Sequence, residues 1–320
     1  MQLNELSAKS LAAAKLPLSI ALLAMALLAP AYGLDSAAGA AAKPETLEKR
    51  ASAGDAAAQA ELGHQYLYGK ERNKSYAEAL RWLRKAAGAG SAAAEADLGI
   101  AYREGWGVQK DFKSANSWFE RSTKQGYAAG ENELGGMYYF GKGVIKDYRH
   151  AYELFRSSAA QGFAAGQNSL AYMYLFGLGT AKDTAQALIL FQKAADQGYA
   201  DAQVNLGNMY LAGVEVAKDP VKAAEWFRKA AYQDYPPGET ALGKLFVAGT
   251  GMRADVTQGL SWLRKAADAD DVGAERELGK MYEHGIGVTA DKELARSWYR
   301  KAAAKGDEEA NLALARLGFN

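Results

Sequence analysis

The sequence predicts an all-α solenoid of seven helix–turn–helix repeats, each 36 residues long, with a capping helix at either end. Three observations carry that prediction. A Leu-Gly pair stands at 62–63, 98–99, 134–135, 206–207, 242–243 and 278–279, and Leu170-Ala171 and Leu314-Ala315 keep the same step. A glycine lies seven residues after each of the first seven leucines, and an aspartate or serine lies thirteen after. Self-similarity at a fixed period of this length marks stacked units, none of which can bury its apolar face alone.

The elements follow in chain order. Residues 1–33 read as a targeting segment: Lys9 and Lys15 precede the apolar run LPLSIALLAMALLA, and small residues follow it. That is the pattern of a cleaved signal peptide, with sites after Ala31 or Gly33, or of an uncleaved N-terminal anchor. Export is therefore expected. Residues 34–43, LDSAAGAAAK, read as a flexible linker, and the repeat region spans 44–320. Its first element, Pro44 to Ala53, resembles a lone second helix with Leu47 in register with Leu83. The repeats then fall at about 55–90, 91–126, 127–162, 163–198, 199–234, 235–270 and 271–306.

Within a repeat, apolar or small residues at Leu−4, Leu, Leu+1 and Leu+4 share one face of a helix. The last of these is Tyr66, Tyr102, Tyr138, Tyr174, Tyr210, Phe246 or Tyr282. Gly69, Gly105, Gly141, Gly177, Gly213, Gly249 and Gly285 then stand where a helix C-terminus needs positive φ. Ser75, Asp111, Asp147, Asp183, Asp219, Asp255 and Asp291 are the expected N-caps of the second helices. Pro220 after Asp219 suits the first helical position. Ala79, Trp82, Leu83, Ala86 and Ala87 repeat the helical spacing in the second helix. Residues 307–320 are a lone first helix, the C-terminal cap.

The assembled pattern, clearest in ADLGIAYREGWGVQKDFKSANSWF (96–119) and ERELGKMYEHGIGVTADKELARSWYRKAAAKG (275–306), resembles the Sel-one-like repeat (SLR) family, a relative of the tetratricopeptide repeats. The resemblance covers about residues 44–320 and implies a right-handed α-solenoid that binds proteins or peptides on its concave surface. Lys70-Glu71-Arg72 and Glu215 depart from the pattern and are expected to alter two turns without threatening the fold. Exported bacterial members of the family imply the bacterial periplasm as location, with secretion or inner-membrane anchoring as the other outcomes, and an envelope component as partner. Cysteine-rich relatives suggest an alternative, a peptidoglycan- or β-lactam-binding protein or hydrolase, but this chain has no cysteine to build their disulfides.

Chemistry is sparse beside this repetition. GKGVIKD (141–147) and GIGVTA (285–290) imitate phosphate loops, but each follows a helix, whereas the dinucleotide motif needs a preceding strand. They read as turns. His64, His150 and His284 lie in separate repeats without paired metal spacing, and no G-x-S-x-G elbow exists. No catalytic residue, metal or cofactor is expected, and most carboxylates are assigned to caps and solvent faces. With 38 Lys and Arg against 37 Asp and Glu, the chain lacks the basic excess of a nucleic-acid binder. Membrane contact is expected only through an uncleaved N-terminal segment.

Positions Leu−5, −2, +2, +5 and +6 lie opposite the packed face at 100° per residue, and in the related tetratricopeptide fold they face the concave side. In the middle repeats they hold Asn132, Tyr139, Phe140, Asn168, Tyr172, Leu175, Phe176, Val204, Asn208 and Leu211. Aromatics beside amides make a candidate peptide groove, the competing reading being that the aromatics pack between adjacent first helices. The function expected is a non-catalytic exported scaffold or regulator.

Overall fold

A computed structural model describes residues 46–318. The targeting segment 1–33, the linker 34–43 and the last two residues of the C-terminal cap lie outside the described residues. These form sixteen helices, and no strand occurs among them. The first eight are α1 (Leu47–Ser52), α2 (Ala56–Tyr68), α3 (Tyr76–Gly88), α4 (Ala92–Glu104), α5 (Phe112–Lys124), α6 (Ala128–Phe140), α7 (Tyr148–Ala160) and α8 (Ala164–Phe176). Then come α9 (Thr184–Asp196), α10 (Ala200–Ala212), α11 (Pro220–Ala231), α12 (Pro236–Ala248), α13 (Val256–Asp268), α14 (Val272–His284), α15 (Lys292–Ala304) and α16 (Glu308–Arg316). The chain divides within α9 into two compact units, one up to Leu190 and one from Phe191 onward. No described helix is long and apolar enough to cross a membrane.

Each even-numbered helix from α2 to α14 is the first helix of a repeat. It ends at one of the seven predicted glycines, with φ between 66 and 78°. Asp111, Asp147, Asp183, Asp219, Asp255 and Asp291 accept hydrogen bonds from backbone N–H groups of the following turn at 2.9–3.0 Å. Ser75 does the same at 3.4 Å. Each such cap contributes about 1 kcal/mol.

The two departures from the turn pattern do not change the chain's course. Glu71 and Glu215 both take φ 58°, close to the 67–71° of Gly107, Gly143, Gly179, Gly251 and Gly287 at the same repeat position. The path is set by the helices on either side, and the side chain has to tolerate the left-handed region at a cost of roughly 1–2 kcal/mol. Glu215→Gly is therefore expected to raise the melting temperature of the second unit by about 3 °C, read by circular dichroism. An unchanged or lower value would mean that the Glu215 side chain compensates its own strain.

The Leu-Gly motif acquires its reason from the second helix of the same repeat. Phe119 lies on Gly99, Phe155 on Gly135, Phe227 on Gly207 and Tyr299 on Gly279, while Leu83 and Leu263 cover Gly63 and Gly243. A methyl group added at any of these six glycines would come within 2.4–2.9 Å of the covering side chain. The covering residues are themselves buried, so the bare glycine is what lets the two helices close on each other. At the two ends, α1 packs Ala51 against Leu62 and Trp82, and α16 packs Ala310 and Leu314 against Tyr299.

Four carboxylates that the repeat pattern did not single out lie inside. Glu95, Glu131, Glu239 and Glu275 stand three residues before the leucine and are buried. Each is met by the end of its own second helix. Gln125 and Arg121 reach Glu95, Ser157 and Gln161 reach Glu131, and Lys265 and Lys305 reach Glu239 and Glu275. Burial pushes the Glu239 carboxyl above its ordinary pKa, although Lys265 at 2.7 Å opposes the shift. In these four repeats the pairs lock the first helix to the end of the second.

In the second unit, burial drives the Asp201 carboxyl up to a pKa of about 6, against hydrogen bonds from Tyr235 and Tyr199 that pull it down. The folded pKa lies above the ordinary unfolded value near 4, so the folded state binds the proton more tightly. Stability from this group is full below about pH 4 and is lost as pH rises through about 6. Asp201→Asn should remove that slope and leave the second unit more stable than wild type at neutral pH. Melting temperatures measured across pH 4 to 8 test this, and parallel profiles for the two proteins would refute it.

Candidate protein-binding face

The predicted groove residues separate into a closed set and an open set. Asn132 and Asn168 are each only 1% exposed, and Leu175 and Val204 are buried as well. Ser169 Oγ on α8 donates to Asn132 Oδ1 on α6 at 2.9 Å, so this amide joins adjacent first helices. The expectation that Asn132 and Asn168 present amides to a ligand is thus corrected: both are buried, Asn132 against the neighbouring first helix. Asn208 and Leu211 are half-buried on α10 in the second unit.

The open set lies at the C-terminal ends of α6 and α8 in the first unit. Phe176 is 43% exposed and stacks on half-buried Tyr172 at 6.1 Å between ring centroids. Tyr139 and Phe140 meet edge to face at 4.8 Å, and Tyr139 meets Tyr148 at 5.2 Å. Burial, reinforced by Tyr148, pushes the Tyr139 hydroxyl to a pKa of about 12, so the residue stays neutral. Lys142 lies over the Phe140 ring at 5.3 Å. Part of each ring therefore packs in the core, as the competing reading required, and part faces outward.

One repeat earlier, the same face carries charge that periodicity did not single out. Arg103, at the Leu+5 position held by Tyr139 and Leu175 in later repeats, is 1% exposed. Its guanidinium pairs with Glu133 and, at 2.6 Å, with Glu104, and it lies 6.0 Å from the Phe119 ring centre. Burial works against the charge, yet the two carboxylates outweigh it and hold the pKa above its ordinary value. His64 on α2 meets Asp97 on α4 at 3.0 Å. Burial would lower its pKa, but the bond to Asp97 and that carboxylate's charge raise it on balance. Histidines considered by sequence one repeat at a time could not reveal this pair. No group of three His, Cys, Asp or Glu side chains suited to a metal occurs among the described residues.

Comparison with known proteins places this geometry. The Sel1 repeat model matches residues 56–91, 92–127, 128–163, 164–199, 200–235, 236–271 and 272–307. The chain belongs to the Sel1 repeat family. Sel1 repeat proteins generally mediate protein–protein interactions, and their scaffold is generally non-catalytic. The family's frame starts one residue later than the 36-residue frame read from the leucines. Among solved structures, a protective antigen of uropathogenic Escherichia coli displaying an SLR fold is 34% identical, with a TM-score of 0.58. The match covers 85% of this chain and 58% of that one, so this chain spans little more than half of that relative. A Sel1 repeat protein from Oxalobacter formigenes is 32% identical with a TM-score of 0.59, covering 85% of this chain and 78% of that one. No curated protein matches the sequence.

Proposed function

We propose that this Sel1 repeat chain is a non-catalytic, exported scaffold that binds a protein or peptide on the aromatic end of its first-unit helices, around Tyr139, Phe140, Tyr172 and Phe176. The observation that carries the reading is the outward aromatic cluster itself. Phe176 keeps 43% of its surface exposed, and Tyr139, Phe140 and Tyr172 beside it are half-buried. Aromatic anchors of this kind supply most of the binding energy where a partner can desolvate them. The export pattern of residues 1–33 supports a periplasmic location and an envelope component as partner.

The test is crosslinking in the intact cell envelope, comparing wild type with Tyr139→Ala/Phe176→Ala. The variant should keep its helical content and lose most of the crosslinked partner. Undiminished recovery by a folded double variant would remove this face as the binding surface. Sequencing the N-terminus of the mature protein checks export, with a start after Ala31 or Gly33 expected.

A further inference from the structure

The turns of the first unit carry a second regularity, independent of the Leu-Gly frame. Lys74, Lys110 and Lys146 occupy the same position in three successive repeats, two residues before an aromatic: Tyr76, Phe112 and Tyr148. Each lysine ammonium lies over its own aromatic ring, at 5.9, 5.3 and 4.6 Å from the centroid. All three lysines are exposed, and none has a carboxylate within ion-pair distance among the described residues. Beyond the third repeat the combination stops, the corresponding pairs being Lys182/Thr184, Lys218/Pro220, Ala254/Val256 and Ala290/Lys292.

Charge on this edge is lopsided. Across residues 69–78, 105–114, 141–150 and 177–186, nine Lys and Arg face five Asp and Glu. Three of those five, Asp111, Asp147 and Asp183, spend their carboxylates on helix N-termini, and Glu78 pairs with Arg81. The corresponding turns of the second unit, 213–222, 249–258 and 285–294, hold four basic and five acidic residues. A cationic edge is thus confined to the first unit of a chain that is otherwise balanced. Lys142 responds to it: burial first, then Arg103 and Lys110, lower its pKa. Beside Lys142 and Lys146, Ile145 projects with 90% of its surface in water.

We infer that the turn edge formed by Lys74, Lys110 and Lys146 binds an extended acidic peptide segment of a partner protein, carrying a carboxylate at about every third residue. The inference rests on the scaffold reading above and names the chemistry of the partner. Its geometry follows from two repeats. Packed helices lie about 10 Å apart, and an extended chain advances about 3.3 Å per residue, so three residues of ligand span one layer of the stack. Carboxylates at that spacing meet one lysine per layer, while the side chains between them face the aromatics and Ile145. A nucleic acid is a poorer occupant, because it calls for a broad Lys/Arg excess that this chain lacks.

The experiment is fluorescence anisotropy with purified protein and two labelled nonapeptides of identical composition, three Glu with Leu and Ser. One places Glu at every third residue and the other groups the three together. The spaced peptide should bind about tenfold tighter, with affinity that weakens as salt is added. Lys74→Glu/Lys110→Glu/Lys146→Glu should abolish binding while circular dichroism stays unchanged, and Lys→Gln at the same three positions should weaken it less. Equal affinity for both peptides, full binding by the triple Glu variant, or tighter binding of an oligouronate or oligothymidylate would overturn the inference. Envelope crosslinking of the triple variant separates this result from the broader reading. Partner recovery that persists with the triple variant but is lost with Tyr139→Ala/Phe176→Ala would remove the acidic-peptide edge and leave the aromatic face standing.

Discussion

Gly99→Ala should destabilise the first unit by about 1–3 kcal/mol, while Gly88→Ala should stabilise it by about 0.5–1 kcal/mol. The two substitutions add the same methyl group to residues of a helix, and what surrounds it decides the sign. At Gly99 the new carbon would lie 2.4 Å from Cε1 of Phe119 and 2.5 Å from its Cδ1. Neither atom can yield easily, because Phe119 is fully buried among Ile100, Leu134 and Met137. The clash outweighs the helix-propensity gain of alanine over glycine. Gly88, the last residue of α3, is exposed and would place nothing within 4 Å of the methyl, so the propensity gain stands alone. Phe119→Ala supplies the control: it should itself cost about 3–5 kcal/mol, and in that background Gly99→Ala should become stabilising, since the ring that blocked the methyl is gone. Urea unfolding of the four proteins closes the cycle. Additive effects would mean that Gly99 is needed for something other than closeness to Phe119.

The contrast between Gly99 and Gly88 also shows what sequence could and could not reveal. The period, the turn glycines and the aspartate caps were legible because each answers to its own local backbone. Gly69 and Asp111 need no neighbour to explain them. The Leu-Gly glycines were legible as small residues, but their partner lies twenty residues on, in another helix. Asn132 and Asn168 fell on the open face of a helical wheel because a wheel describes one helix alone. In the first unit, first helices pack on one another and cover Asn132, whereas Phe176, near the helix C-terminus, escapes cover. The buried Glu95, Glu131, Glu239 and Glu275 went unrecognised for the same reason. Their cations and amides arrive from the far end of the second helix, up to thirty residues later. Pairings at that separation are periodic too, and reading offsets of about thirty alongside the 36-residue step would have exposed them.

Arg103→Met is expected to cost the first unit about 3–5 kcal/mol, the other large effect, because it strands the carboxylate of Glu133 in the interior. Glu133 keeps only 7% of its side-chain surface in contact with water, so hydration cannot replace the guanidinium. Glu104 suffers less, being three times as open, at 21%. Removing both buried charges should undo most of the damage, and Arg103→Met/Glu133→Met should return to within about 1 kcal/mol of wild type. Urea unfolding followed by circular dichroism measures the single and double variants. A double variant as unstable as the single one would show that Arg103 acts through its packing on Phe119 and not through Glu133. The pair also bounds the proposed binding face. In the next repeat the Leu+5 position holds half-buried Tyr139, whereas here the position turns inward to an ion pair. A stable Arg103→Met/Glu133→Met protein that still recovers its crosslinked partner would place the aromatic contact from α6 onward, where Tyr139 and Phe140 begin it.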